Sequence, residues 1–214
     1  MPKPAIKSSS FYDVHPGVAM TQKWIAELKP KTGRSLEEWI ALVKTEGPKE
    51  NQARRAWLKS KHKLATNSAW WIAERADGKG GAGDSPEKYL ATAAEYVEEQ
   101  YSGRKSALRP IFEQLLALGR SLGPDVKACP CKTMVPLYRN HVFAQIKPST
   151  NTRIDFGLCF AAYKGKLPKR LIDTGGLAKK DRITHRIEVS SPSSSPKAVL
   201  WRACREPEVS RFRR

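Results

Sequence analysis

The stretch His141–Phe160, HVFAQIKPSTNTRIDFGLCF, decides the fold class. Val142, Ala144 and Ile146 alternate with Phe143 and Gln145, and Ile154, Phe156, Leu158 and Phe160 fall on one face of the returning run. A period of two marks half-buried strands, and Ser149-Thr150-Asn151 supplies the turn, so the stretch predicts an antiparallel hairpin. Upstream, VKACPCKTMVPLYR (126–139) reads as one or two short strands, with Pro130 and Pro136 imposing bulges or an edge position. Downstream, KGKLPKRLIDTGGLAKKD (164–181) reads as a basic loop, and RITHRIEVS (182–190) as a strand with Ile183, His185, Ile187 and Val189 on one face.

Around these strands the period changes to that of helices. Tyr89, Leu90, Ala93, Tyr96, Val97 and Tyr101 share a face, with Asp84 or Ser85 as cap and Pro86 in the first turn. After Ser102-Gly103, a second helix carries Leu108, Ile111, Phe112, Leu115, Leu116 and Leu118, with Pro110 in its first turns and Gly123-Pro124 at its end. A closing helix is expected over Lys197–Arg205, capped by Ser195 with Pro196 in its first turn, burying Leu200, Trp201 and Cys204. Residues 86–207 thus predict a helix-helix, antiparallel β-meander, helix domain, followed by a basic tail at 208–214.

The N-terminal part predicts a small helical bundle. Residues 1–16 read as a loose tail. In the module at 17–77, a first helix places Val18, Trp24, Ile25 and Leu28 on one face and is expected to stop at Pro30. Ser35 and Glu38 have capping-box spacing, ahead of a buried stripe of Leu36, Trp39, Ile40 and Val43. Gly47-Pro48 ends that helix, the glycine being expected to supply left-handed dihedrals. A third helix from about Pro48 to His62 shows a thin apolar face of Ala53, Ala56 and Trp57. A fourth starts at Thr66-Asn67 with a face of Ala69, Trp70 and Ala73. The turn between them, KHKLATNSAWWIAERA (61–76), raises the question of a DNA-reading helix-turn-helix. Asn67 and Ser68 could reach base edges, but Trp70 and Trp71 follow at once, and two helices packed on paired tryptophans is the preferred reading. The glycine-rich 78–85 reads as a flexible linker. The whole is an α+β chain of two modules.

The composition narrows the function. Thirty-nine Lys and Arg oppose 21 Asp and Glu, for a formal net charge of +18. The surplus concentrates in 126–214, where six acids stand among 19 bases. Such a balance favours polyanions, either nucleic acid or an acidic membrane surface. No apolar run approaches the roughly 20 residues of a membrane span. The opening MPKPAIKSSS has no apolar signal core, and four cysteines do not make a disulfide framework, so a cytoplasmic protein with reduced thiols is expected.

Few chemical motifs are legible. Cys129-Pro130-Cys131 could hold a soft metal if His141 and Cys159 converged on it, but the spacing equally suits two thiols on opposite faces of a strand. DTGGLAKKD (173–181) could cradle a phosphate by backbone amides, or be only a basic loop. No hydrolase elbow, Walker loop or dinucleotide fingerprint occurs, the four histidines are scattered, and no catalytic residue or cofactor is assigned. The leading expectation is non-enzymatic binding of a polyanion or nucleic acid through Lys59, Lys61, Lys63, Lys164, Lys166, Lys169, Arg170, Lys179, Lys180 and Arg182. The alternative is a small-ligand or metal-binding domain with a pocket between sheet and helices, near Cys129, Cys131, Tyr138, His141 and Cys159.

KTGRSLEEWIALVKTEG followed by ARRAWLKSKHKLATNSAWWIA resembles the bacterial domain of unknown function 4287. The shared positions are Thr32, Gly33, Ser35, Glu38 and Trp39, then Ala56, Trp57, Leu58, Lys59 and His62. Beyond His62 the family's Gly-His-Gly-like turn is replaced by KLATNSAWW. YVEEQYSGRKSALRPIFEQLLALG, VKACPCKTMVPLYRNHVFAQIKP, RIDFGLCF and RITHRIEV resemble the domain of unknown function 5655. That resemblance implies an α+β fold within a wider group that includes frataxin-like iron chaperones. Iron handling suits this chain poorly, since hard cations want clustered carboxylates. Neither family implies an activity.

Overall fold

The computed structural model describes residues 11–161, 163 and 166–192. The expected closing helix at 197–205, the tail at 208–214 and Lys164 lie outside the described residues. The chain divides into two compact units, Val14–Thr92 and Met1–Asp13 with Ala93–Arg214.

The first unit is built on four helices. α1 (Gly17–Thr32) contains Pro30 and runs two residues past it. The expected stop does not occur because the end of the helix is tied without the missing proline N–H. Thr32 Oγ1 donates to the Leu28 carbonyl at 2.6 Å, and the left-handed Gly33 donates to Lys29 O at 2.8 Å. α2 (Leu36–Glu46) opens on the predicted capping box: the Glu38 amide donates to Ser35 Oγ at 3.2 Å, and the Ser35 amide to Glu38 Oε2 at 2.6 Å. Gly47 does not take the expected left-handed form; its φ is −79°. Space is what requires glycine there, since a Cβ would lie 2.5 Å from the Val43 carbonyl oxygen.

α3 (Asn51–Ser60) and α4 (Thr66–Ala76) form an antiparallel hairpin. The expected face of α3 is rotated: Ala53 and Ala56 are exposed, Leu58 is fully buried, and Arg54 and Arg55 turn inward. They do so because α4 supplies carboxylates. Asp77 takes the Arg54 guanidinium and, at 2.6 Å, the Asn51 amide; Glu74 takes Arg55 at 2.6 Å. The cap of α4 is Ala65, with Thr66 already helical and no side-chain cap. Ala69, Ile72, Ala73 and Ala76 bury against Leu28, Leu36, Trp39, Val43, Leu58 and Leu64. Within the segment read as a flexible linker, Asp84 pairs with Arg75, whose guanidinium lies over Trp24; these two charged side chains are only 16% and 10% exposed.

The second unit is an antiparallel sheet packed on helices. α5 (Pro86–Gln100) spans the division, its residues to Thr92 belonging to the first unit and those from Ala93 to the second, and Ser85 Oγ caps it by accepting from the Lys88 amide at 3.2 Å. A 3-10 turn (Gly103–Leu108) leads into α6 (Arg109–Arg120). Strands β1 (Lys127–Ala128), β2 (Val135–Tyr138), β3 (Val142–Pro148), β4 (Ile154–Leu158), β5 (Ile172–Asp173) and β6 (His185–Val189) lie in the order β1-β2-β3-β4-β6-β5. The hairpin predicted at 141–160 is β3–β4, with Ile146 opposite Phe156. β5 corrects the reading of 164–181 as loop alone: it adds an edge to β6 through Ile172–Arg186 and Asp173–His185. Two residues are too few to show alternation.

Pro136 is tolerated between two neighbours for a directional reason. Its carbonyl accepts from the Cys129 amide at 3.1 Å, so its missing N–H also faces the β1 side, where β1 has ended at Ala128. One face of the sheet, including Leu137, Ala144, Ile146, Phe156 and Ile187, meets Leu108, Ile111, Phe112, Leu115 and Leu116 in one core. Asp13, placed by sequence in a loose tail, is bonded to this unit: its amide donates to Ala128 O at 2.9 Å, and its carboxylate takes the Ala128 amide and Arg120 at 2.9 and 3.0 Å.

Candidate functional site

Arginine and lysine have different roles in this chain. Among the described residues, nine carboxylates pair with arginine: Asp13, Glu74, Asp77, Asp84, Glu98, Glu113, Asp125, Asp155 and Glu188. Lysine pairs only with Glu27 and Glu38, from α1. The planar guanidinium forks onto a carboxylate with little loss of freedom, whereas the ammonium remains hydrated. The charge-rich outer face of the sheet shows this best. Asp155 and Glu188 stand directly opposite on β4 and β6, a repulsive placement, and Arg153 and Arg186 each bridge both.

Most of the uncompensated charge is therefore lysine, with Arg34 and Arg104 also exposed and outside the ion pairs of the described residues. Lys59, Lys61, Lys63, Lys166, Lys169, Lys179 and Lys180 are all exposed, and none forms an ion pair among the described residues. Arg170 is exposed and Arg182 half-buried. The first three lysines belong to the α3–α4 hairpin, and the others to the segment around β5. Lys61 lies over the Trp57 ring, 5.3 Å from its centroid, and Lys63 takes a left-handed φ of 56° in the hairpin turn.

Of the two readings of 173–181, the phosphate cradle does not fit the loop's geometry. The Gly175 amide donates to Asp173 Oδ1 at 2.7 Å and the Gly176 amide to Thr174 Oγ1 at 3.3 Å. The amides an anion would use are occupied, and a carboxylate stands at the mouth. What remains there for an anion is side-chain charge.

The thiols do not converge. Cys129 is buried beside Pro136 of β2, while Cys159 extends β4, its amide donating to Phe143 O. The two sit three strand spacings apart, roughly 14 Å. His141 is exposed ahead of β3. Among the described residues no three His, Cys, Asp or Glu side chains could share a metal ion. Burial and, secondarily, Asp13 push the Cys129 thiol up to about 12, and burial raises Cys131 and Tyr138, the latter also to about 12. Groups held protonated in this way are poor nucleophiles and poor soft-metal ligands. The remaining histidines have local roles. His15 Nδ1 accepts from the Gly17 amide at 2.9 Å, and His185 Nδ1 lies 2.9 Å from Thr184 Oγ1. His62 packs edge-on to Trp39 and Trp57 with ring centroids 5.2 and 4.5 Å away, and desolvation, then Lys61 and Arg34, lower its pKa.

The hairpin turn answers the helix-turn-helix question by geometry. α3 and α4 lie antiparallel, whereas a helix-turn-helix crosses near a right angle. Ser68 is occupied, accepting from Trp24 Nε1 at 3.0 Å, and Trp71 packs edge-on to Trp24 at 4.8 Å. Trp70 is the outward member of the pair, 44% exposed, with the Arg55 guanidinium 5.7 Å from its ring centroid. Sequence reading placed Trp70 on the buried face. The buried face of α4 is instead Ala69, Ile72, Ala73 and Ala76, and Trp70 falls outside it on the side of Glu74, one turn further along.

Residues 20–78 match the family model described as Domain of unknown function (DUF4287), and residues 97–202 match Domain of unknown function (DUF5655). Comparison with curated proteins and with solved structures finds no match. The chain thus carries two family matches in tandem, first to DUF4287 and then to DUF5655.

Proposed function

We propose that the protein binds a polyanion, with nucleic acid as the class of partner, through exposed lysines and without catalysis. The observation that supports this is the division of cations: eight arginines pair with nine carboxylates, whereas Lys59, Lys61 and Lys63 in one unit and Lys166, Lys169, Lys179 and Lys180 in the other are exposed and form no ion pair among the described residues. Such ammonium groups displace condensed counterions when they meet phosphates, so affinity falls steeply with salt. Anisotropy of a labelled oligonucleotide titrated with the full chain at rising salt tests this. About five phosphate contacts give a slope of log K against log salt near −4. An affinity that does not change with salt, or no binding at low salt, refutes it.

A further inference from the structure

We propose that the α3–α4 hairpin is a single-stranded nucleic-acid site in which an unpaired base stacks on Trp70. The inference rests on the polyanion reading and adds to it the form of nucleic acid and the residue that receives the base.

The described tryptophans divide sharply. Trp39 is buried, with Nε1 donating to Thr32 Oγ1 at 2.8 Å. Trp24 donates to Ser68 and meets Trp71 edge-on, and Trp57 packs on His62. Trp70 alone among them is exposed, at 44% of its surface. An indole left in water carries a cost, and here it sits on a helix held by two arginine–carboxylate pairs, so the ring is presented on a rigid support.

The register of the hairpin determines what surrounds the ring. Asn51 meets Asp77, and Arg55 meets Glu74. Continuing the antiparallel register one turn puts Lys59 level with Trp70, while Lys63 lies in the turn that leads into the start of α4 at Thr66. Lys59, Lys63 and Asn67 are exposed. Glu74, the acid beside the ring, is neutralised by Arg55. The result is an aromatic face whose neighbouring acid is neutralised, on a hairpin that also carries the exposed ammonium groups of Lys59 and Lys63, which is the chemistry that holds phosphates while a base stacks. Duplex DNA does not suit it, because paired bases offer no free face and the helices do not cross as a groove-reading pair does. An anionic bilayer would want several adjacent apolar side chains, and the residues around Trp70 are polar or charged.

The test uses the full chain with four probes: an oligothymidylate, an abasic oligomer of the same length, a duplex, and phosphatidylserine vesicles. Trp70→Ala is expected to weaken oligothymidylate binding about tenfold or more while leaving the abasic oligomer unchanged, with Trp70→Phe recovering most of the loss. Lys59→Gln is expected to weaken both oligomers alike. If Trp70→Ala binds oligothymidylate as the wild type does, while the abasic oligomer still binds with a steep salt dependence, the stacking site is overturned and the polyanion reading stands. Binding of neither oligomer overturns both, as does binding only to phosphatidylserine vesicles. A duplex preference overturns the single-strand assignment. Circular dichroism checks the fold of the alanine variant. Should it not fold, wild-type tryptophan quenching decides: quenching by oligothymidylate and not by the abasic oligomer is expected, and equal quenching refutes the site.

Discussion

Replacing Asp77 with alanine should destabilise the helical unit by about 2 kcal/mol. Its carboxylate holds the Arg54 guanidinium and the Asn51 amide at the open end of the α3–α4 hairpin, and the paired side chains of Arg54 and Asp77 are 14% and 18% exposed. Removing one partner of a buried pair costs about 3–5 kcal/mol, because the survivor stays desolvated. Two features reduce that figure here. Arg54 Nε keeps its 2.7 Å bond to the Pro48 carbonyl, so the guanidinium is not orphaned. Asp77 also follows the C-terminus of α4, where a negative charge opposes the helix dipole by about 0.3–1 kcal/mol, and its loss relieves this. Tryptophan emission is the right probe, since five of the six tryptophans (24, 39, 57, 70 and 71) lie in this unit's stretch of sequence. With a urea dependence near 1 kcal/mol per molar, expected for a unit of this size, the midpoint should fall by about 2 M. Glu27→Ala, which removes an exposed partner of Lys23 and Lys31, should leave the midpoint in place. A shift for Asp77→Ala below about 0.5 M, or equal to that of Glu27→Ala, would show that the hairpin does not depend on its ion pairs.

In the second unit, Gly157→Val should cost about 1–3 kcal/mol, because even a Cβ there would lie 2.7 Å from both Gln145 Cγ and Ile183 Cγ2. Hydrogen exchange should show the loop ending at Ile183 loosening first; unchanged protection would count against close packing of that loop on the sheet. Cys129, with its thiol at about 12 when folded, should make the unit less stable as pH rises. The unfolded thiol ionises near 8.5 and the folded one does not, so its stabilisation is complete below about pH 8.5 and is lost between there and about pH 12, at about 1.4 kcal/mol per pH unit. Urea titrations across that range should show the decline, and Cys129→Ala should make it shallower, with the remainder coming from Cys131 and Tyr138; an identical slope in the variant refutes the assignment.

Local signals carried much of the fold. Ser35 and Glu38 lie three residues apart, and their bonds need nothing beyond the helix start, so the capping box was legible. The alternation of β3 and β4 was legible because each strand has a fully buried face. The face of α3 was not, because Arg54 and Arg55 turn inward only when Asp77 and Glu74, about 20 residues away, come alongside. A hydropathy pattern counts arginine as surface, and because it also counts tryptophan as core it placed Trp70 on the wrong side of α4. Pro30 and Gly47 were misjudged for a related reason. Their conformations depend on which carbonyls lie near, Lys29 O for the capping Gly33 and Val43 O for Gly47, rather than on residue type alone. In the site, exposure of individual lysines followed from composition, whereas the filled amides of 173–181 and the separation of Cys129 from Cys159 required three-dimensional register.

The assignment of arginine to structure and lysine to solvent makes two properties of this protein independent. Acylation at lysine, which removes the charge, would alter its electrostatic field while leaving the guanidinium–carboxylate clamps untouched, so the strength of an encounter with an anion could be tuned over a wide range in a molecule whose folding equilibrium barely moves. A reagent selective for guanidinium groups should do the reverse and melt the protein before it discharges it.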